Sequence, residues 1–261
     1  MQGVLGPTLL KRDGSKANTA STLSSKRLTL VYYSASWCGP CRQFSPILSA
    51  FYKAHSASLG IELVFASLDK SEEAFKAYWA TMEGGAPYAV PYGRGEELAA
   101  TFKVNAVPSL HVLCDGILVT AAGVEGLSRG GAAAFPWAPF GGDLIGRKVA
   151  LSGLVAAAHL NGKEGLCVGA VESSKRFSIR VPGQEELAAI KRENLAVVVF
   201  GSDLLGKAVR ISGLEAEASK HLNGKQGKVV GADEATGRFS VQVEGESAAV
   251  AVKRTKLEVV A

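Results

Sequence analysis

An apolar run, Leu28-Thr29-Leu30-Val31-Tyr32-Tyr33-Ser34, gives way within a few residues to Trp37-Cys38-Gly39-Pro40-Cys41-Arg42. Apolar residues at helical spacing follow: Phe44, Ile47, Leu48, Phe51 and Tyr52. A buried strand passing directly into a helix puts the two cysteines, three positions apart, on one side of the first helical turn. Unpaired N–H groups and the macrodipole at that point stabilise a negative sulfur, and it is the thiolate that attacks a disulfide. Cys38 is therefore the expected nucleophile. Cys41, one turn in and more shielded, is placed to attack a mixed disulfide formed on Cys38. Pro40 has no helical N–H partner to lose, Gly39 lets the backbone turn between the sulfurs, and Trp37 offers a flat apolar rim to a substrate chain.

On either side of this stretch, strand and helix patterns alternate. Residues 2–34 read as a short hairpin turning at Asp13-Gly14, a polar link through Asn18-Thr19-Ala20-Ser21, and the central strand. The active-site helix is expected to stop at Leu59-Gly60 and to be followed by a strand over 61–67. A helix begins at Ser71-Glu72-Glu73, a glycine- and proline-rich loop runs to Gly95, and a short helix covers 96–102. Val107-Pro108 then leads into the strand 109–113, whose hairpin partner is 117–121 across Asp115-Gly116. Such an order implies a mixed sheet with helices on both faces. Between Leu127 and Pro139 the periodicity stops, and a domain boundary is expected there.

Cys-Gly-Pro-Cys after Trp37, Pro46 five residues beyond Cys41, and Val107-Pro108 before an apolar strand together resemble the thioredoxin superfamily. Further marks are similar to the nucleoredoxin and tryparedoxin branch: Lys11-Arg12-Asp13-Gly14-Ser15, Tyr32-Tyr33-Ser34-Ala35-Ser36, Phe65-Ala66-Ser67-Leu68-Asp69-Lys70-Ser71-Glu72-Glu73 and a late Phe135-Pro136-Trp137. The resemblance covers about the first half of the chain and implies a thioredoxin-like fold with Cys38 and Cys41 as the catalytic pair. It also implies a cis bond before Pro108, and a substrate groove lined by Trp37, Gly39, Pro40, Val107 and Pro108. Gly39 departs from most of that branch and suggests a reducing poise. Tyr32 stands where many thioredoxins carry a buried aspartate; it reads as a core aromatic in a site without that acid. Asp69 and Glu72 read as solvated helix-cap residues.

Beyond the boundary the chain repeats itself. Phe140-Gly141-Gly142-Asp143-Leu144-Ile145-Gly146 returns as Phe200-Gly201-Ser202-Asp203-Leu204-Leu205-Gly206. His159-Leu160-Asn161-Gly162-Lys163 returns as His221-Leu222-Asn223-Gly224-Lys225, and Arg176-Phe177-Ser178-Ile179 as Arg238-Phe239-Ser240-Val241. Short β-type alternation split by Asn-Gly turns describes a small all-β unit, and the motifs resemble SH3-like barrels. The expected organisation is a thioredoxin-like domain over 1–137 and two SH3-like barrels over 140–199 and 200–261. Units of this size have thin cores, so packing on a neighbour would help them stay folded. Lys163, Arg176, Lys225 and Arg238 recur at equivalent places; duplication of a scaffold explains that as well as contact with an acidic partner does.

The 261 residues are 47% hydrophobic and 20% charged, a soluble globular balance with a net charge of +5 spread along the chain. A nucleic-acid footprint would gather that charge on one face, so nucleic acid is not expected. Four cysteines make no disulfide framework here, and one Cys-x-x-Cys is half of a zinc site with nothing to complete it. Cys114 and Cys167 are expected to be small core residues. The start shows no charged leader followed by an apolar core, and no apolar run reaches membrane-spanning length, so the expected setting is the cytoplasm, with the nucleus as the alternative.

The expected activity is reduction of protein disulfides, including those of peroxiredoxins, by dithiol–disulfide exchange. Electrons would come from a separate reductase or a low-molecular-weight dithiol, because no glycine-rich nucleotide loop follows a strand and no cofactor is expected. The competing expectation is a redox-dependent scaffold that binds protein partners through the two barrels.

Overall fold

The computed structural model describes residues 2–82, 84–233 and 236–260. It divides into two compact units, Met1–Val197 and Val198–Ala261. The first unit opens with α1 (Gln2–Leu5), the hairpin β1 (Thr8–Lys11) and β2 (Lys16–Asn18), and α2 (Thr19–Leu23). The expected polar link is thus a one-turn helix, because the Asn18 side chain accepts a hydrogen bond from the Ser21 N–H at 3.0 Å and caps it. Next come β3 (Leu28–Ser34), α3 (Gly39–Leu59), β4 (Ile61–Ser67), α4 (Glu72–Thr81), β5 (Tyr88–Ala89) and α5 (Arg94–Thr101). The hairpin β6 (Ser109–Cys114) and β7 (Ile117–Thr120) and then α6 (Gly123–Gly130) complete this part. Gly60 ends α3 in the left-handed conformation at φ 63°, as glycine at that position predicts. Ser71 starts α4 by accepting from the Ala74 N–H at 3.1 Å. Besides α1 and α2, two further elements depart from expectation: β5 lies inside the glycine- and proline-rich loop, and α6 reaches into the stretch read as a boundary, where Gly126 packs under Trp137.

The sheet runs β2-β1-β5-β4-β3-β6-β7, with β3 parallel to β4 and antiparallel to β6. Every residue of β3 is buried, because helices cover both of its faces. Leu28, Leu30 and Tyr32 point to the side packed by Phe44, Leu48 and Phe51 of α3 and by Phe75, Tyr78 and Trp79 of α4. Val31 and Tyr33 point to the other side, with Leu23 of α2 and Leu98 of α5. The period of two along the strand divides its side chains between two cores. This is the mixed sheet with helices on both faces that the sequence predicts, and no helix among the described residues is long and apolar enough to cross a membrane.

On the second face His111 is 2% exposed, between the Tyr33 ring at 5.0 Å and the Phe102 ring at 5.8 Å. Burial pushes its pKa below the ordinary 6.5, so the native state holds it neutral while the unfolded chain protonates it near that value. Its contribution to stability is complete above about pH 6.5. As pH falls from there through the native pKa, that contribution is lost, at up to about 1.4 kcal/mol per pH unit. His111→Phe should flatten this part of the stability–pH curve, as read by urea unfolding at pH 7.5 and pH 5; an unchanged slope would remove His111 as its source.

The remaining strands form two five-stranded antiparallel sheets. In the first unit, β8 (Lys148–Leu151), β9 (Glu164–Val171), β10 (Arg176–Arg180), β11 (Ala188–Lys191) and β12 (Leu195–Val197) take the order β11-β10-β9-β8-β12. In the second unit, β13 (Ala208–Ile211), a short helix α7 (Glu217–Lys220), β14 (Gln226–Asp233), β15 (Arg238–Val243), β16 (Val250–Lys253) and β17 (Leu257–Val259) take the same order, β16-β15-β14-β13-β17. A three-residue 3-10 turn, Arg192–Asn194 or Arg254–Lys256, joins the two edge strands in each case. Three residues bridge no more than about 14 Å, so each sheet must curl until its edges approach. No ladder among the described residues closes that gap, so the units are curled open sheets rather than hydrogen-bonded rings.

The repeated motifs serve this scaffold. Asn161 bonds both the N–H and the carbonyl of Leu154, and Asn223 does the same for Leu214. Arg176 and Arg238 donate across the sheet to the carbonyls of Ala189 and Ala251, and the rings of Phe177 and Phe239 pack at a tilt against Phe140 and Phe200.

Within the first unit the first repeat is packed on the end of the mixed sheet, and Ile145, Val149 and Val168 belong to the same buried cluster as Leu28 and Phe51. Arg27, just before β3, donates to the carbonyl of Ile145 at 2.7 and 3.0 Å and to that of Gly142 at 3.3 Å. Asp115, in the β6–β7 turn, pairs with Arg180 of β10 at 2.5 Å, and β7 lies against β9.

Candidate active site

The step from β3 to α3 is where the two sulfurs sit. Cys38 is the N-cap of α3, with extended backbone (φ −88°, ψ 110°), and its Sγ accepts from the N–H of Cys41 at 3.2 Å. Gly39 and Pro40 begin the helix, and Pro40 stands where no N–H is needed. Cys38 and Cys41 are joined as a disulfide, with Cα atoms 5.2 Å apart. The two sulfurs differ in access: Cys38 keeps 6% of its surface and Cys41 none. The Val107 carbonyl oxygen lies 3.5 Å from Cys38 Sγ, and the Val107–Pro108 bond is cis. Trp37 is 57% exposed beside Cys38, held by an Nε1–H bond to the Leu68 carbonyl at 3.2 Å. Cys38, Cys41, Trp37, Gly39, Pro40, Val107 and Pro108 therefore come from two segments far apart in the chain and from one end of the sheet.

Electrostatically the arrangement favours a thiolate on Cys38 once the disulfide is reduced. The helix N-terminus supplies partial positive charge and the Cys41 N–H points at Sγ. No cluster of three or more His, Cys, Asp or Glu among the described residues is gathered to hold a metal.

Asp69 differs from expectation. It is 2% exposed, not a solvated cap. Its Oδ1 accepts from the Ser36 N–H at 2.8 Å and the Ser36 hydroxyl at 2.7 Å, and its Oδ2 from the Ser67 hydroxyl at 2.7 Å. The carboxylate thereby ties the end of β4 to the turn that carries Trp37 and Cys38. Glu72 stays at the surface, paired with Lys76 at 2.9 Å, and Ser71 caps the helix instead.

Beneath Cys41 lies a buried chain of hydroxyls. Ser45 donates to the Cys41 carbonyl at 2.8 Å and shares hydrogen bonds with Tyr32 at 3.0 Å and Tyr78 at 2.8 Å; Tyr78 also meets Ser34 at 3.0 Å. Burial pushes the Tyr32 phenol up to about 12, so it remains protonated and its O–H is available as a donor at neutral pH. Tyr32 and Tyr78 are core aromatics, as the sequence predicts, and their hydroxyls are joined through Ser45 beneath Cys41.

The mixed sheet with a dithiol at its strand-to-helix step defines a thioredoxin-like domain. A thioredoxin-like family model matches residues 26–116. Tryparedoxin from Trypanosoma brucei brucei is 34% identical over 118 residues, 42% of this chain and 79% of that protein. Probable nucleoredoxin 1 from Arabidopsis thaliana is 38% identical over 136 residues, 50% of this chain. The crystal structure of native tryparedoxin I from Crithidia fasciculata is 32% identical, covers 53% of this chain and 98% of that one, and gives a TM-score of 0.48. The chain belongs to the thioredoxin-like family, with nucleoredoxins and tryparedoxins among its relatives. It spans 22% of the length of the plant nucleoredoxin.

Proposed function

We propose that the chain is a thiol–disulfide oxidoreductase that reduces protein disulfides at Cys38 and Cys41. The observation that carries this reading is the pairing of a partly accessible N-cap sulfur, bonded by the Cys41 N–H, with a fully enclosed second sulfur. In the reduced protein the Cys38 thiolate attacks one sulfur of a substrate disulfide. A mixed disulfide forms and the other substrate sulfur leaves as a thiolate. Cys41, deprotonated, then attacks Cys38 Sγ, which releases the second substrate thiolate and leaves the Cys38–Cys41 disulfide. Two electrons pass to the substrate, and an external dithiol or reductase restores the pair. Trp37, Gly39, Pro40, Val107 and Pro108 form the groove in this scheme: the Val107 carbonyl, 3.5 Å from Cys38 Sγ, lies beside the sulfur, and the Val107 backbone is the strand-type partner for an extended substrate segment.

The same reading takes the chain as three domains, 1–137, 140–199 and 200–261, each with its own sheet, and assigns it to a reducing compartment such as the cytosol or nucleus, where a dithiol is maintained for catalysis. The test is a Cys41→Ser variant mixed with insulin as the disulfide substrate. The reaction should halt at a covalent adduct on Cys38 that dithiothreitol dissolves and that Cys38→Ser/Cys41→Ser lacks. No adduct, or one formed through another cysteine, would end the assignment.

A further inference from the structure

The two repeats fold alike but use one face differently. In the first repeat Ile145 is 2% exposed and Val168 0%, Val197 is partly buried, and all three join the cluster shared with the mixed sheet. Their equivalents in the second repeat keep apolar side chains and lie open: Leu205 is 54% exposed, Val230 52% and Val259 48%. Gly146 is pressed so closely that a Cβ would fall 2.5 Å from the Arg27 side chain, whereas Gly206, with nearly the same φ (79° against 77°), has nothing within 4 Å.

The charge on this face is also retained, moved across one strand pair. Arg180 and Leu166 face each other between β10 and β9, and Arg180 takes the Asp115 carboxylate. The equivalent pair between β15 and β14 is Gln242 and Lys228. The cation has passed from one member of the pair to the other, so the second repeat still offers one positive charge beside an apolar patch. What that combination fits is visible in the first unit: the end of a thioredoxin-like sheet, with an acidic residue in the β6–β7 turn beside apolar strands.

We propose that this face of the second repeat is a docking surface for a thioredoxin-like domain other than the chain's own, seated as the first repeat seats the end of β3 and the β6–β7 hairpin. A second copy of the chain is a poorer occupant, since each copy covers that end of its own sheet with its first repeat. Two second-repeat faces joined about a two-fold axis would bring two Lys228 side chains into one interface, where the first repeat's seat pairs a cation with a carboxylate. The inference stands apart from the oxidoreductase reading, because it concerns none of the residues around Cys38.

The experiment titrates the full chain with the tryparedoxin of Trypanosoma brucei brucei, a protein of little more than one such domain, under dithiothreitol so that no disulfide links the two. Isothermal titration calorimetry should show a one-to-one complex. Val230→Glu should abolish it and Lys228→Glu should weaken it by about tenfold or more. Lys228→Leu/Gln242→Arg, which restores the first repeat's arrangement, should bind like the wild type. All three altered positions are exposed, so all variants should melt with the parent. Absence of a complex, equal binding by Val230→Glu, or self-association of the chain alone that Val230→Glu removes in sedimentation would each overturn the proposal.

Discussion

Cys38→Ser is expected to abolish turnover of disulfide substrates, lowering the rate with excess dithiothreitol by about a thousandfold or more. Serine keeps the N-cap geometry, because a hydroxyl also accepts a hydrogen bond from the Cys41 N–H, so the helix start survives. What disappears is the reacting atom: a serine hydroxyl is neither ionised near neutral pH nor able to form the mixed disulfide. Cys41 is not a substitute, since none of its surface is exposed. The variant should therefore fold and melt like the parent while the insulin assay falls to the rate of dithiothreitol alone. Appreciable residual turnover would mean that another group carries the chemistry. The contrast with Cys41→Ser, which should still form the first bond, separates attack from resolution.

The second large effect is expected at Asp69. Asp69→Ala would leave the Ser36 N–H and the Ser36 and Ser67 hydroxyls without the carboxylate they share, around a side chain that is only 2% exposed. Losing three hydrogen bonds to a charged acceptor, one of them from a buried donor and two from part-buried ones, costs about 3 kcal/mol. Asp69→Asn, which keeps the shape and one acceptor oxygen, should lose roughly half of that. Because Ser36 immediately precedes Trp37 and Cys38, a slackened turn should also reduce kcat/KM by about tenfold through misplacement of Sγ. Urea unfolding and insulin reduction measure the two consequences. Wild-type stability in Asp69→Ala would show that the three hydrogen bonds are replaced at no cost.

Where the determinants are local, the sequence shows them. A seven-residue, mainly apolar run before a Trp-Cys-Gly-Pro-Cys stretch marks β3 and the start of α3, Gly60 marks the helix end, and the recurrence of Phe-Gly-x-Asp-Leu and Leu-Asn-Gly-Lys marks two copies of one scaffold. Features that depend on distant residues are not visible in this way. Asp69 sits beside a good helix start, which makes a cap the obvious reading; only the fold brings Ser36, 33 positions away, onto its carboxylate. Tyr78 recurs at helical spacing, so it reads as core, and nothing local shows that its hydroxyl reaches Ser45. The seam between Arg27 and Ile145 spans 118 positions, and no period or motif announces it. Asn18 was legible in principle: a side-chain oxygen three residues ahead of Ser21 is a helix cap, hidden here by the polar run around it.

Cys114 and Cys167 are both fully enclosed, with Cys114 Sγ 3.7 Å from the Cys167 carbonyl, and burial pushes their thiols up to about 12 and 11. Neither carries appreciable thiolate at physiological pH, and neither can be reached by a second protein. Oxidants and disulfides in solution therefore encounter a molecule whose sulfur chemistry is confined to one address. Electron equivalents delivered to it are not scattered into dead-end bridges at the seam.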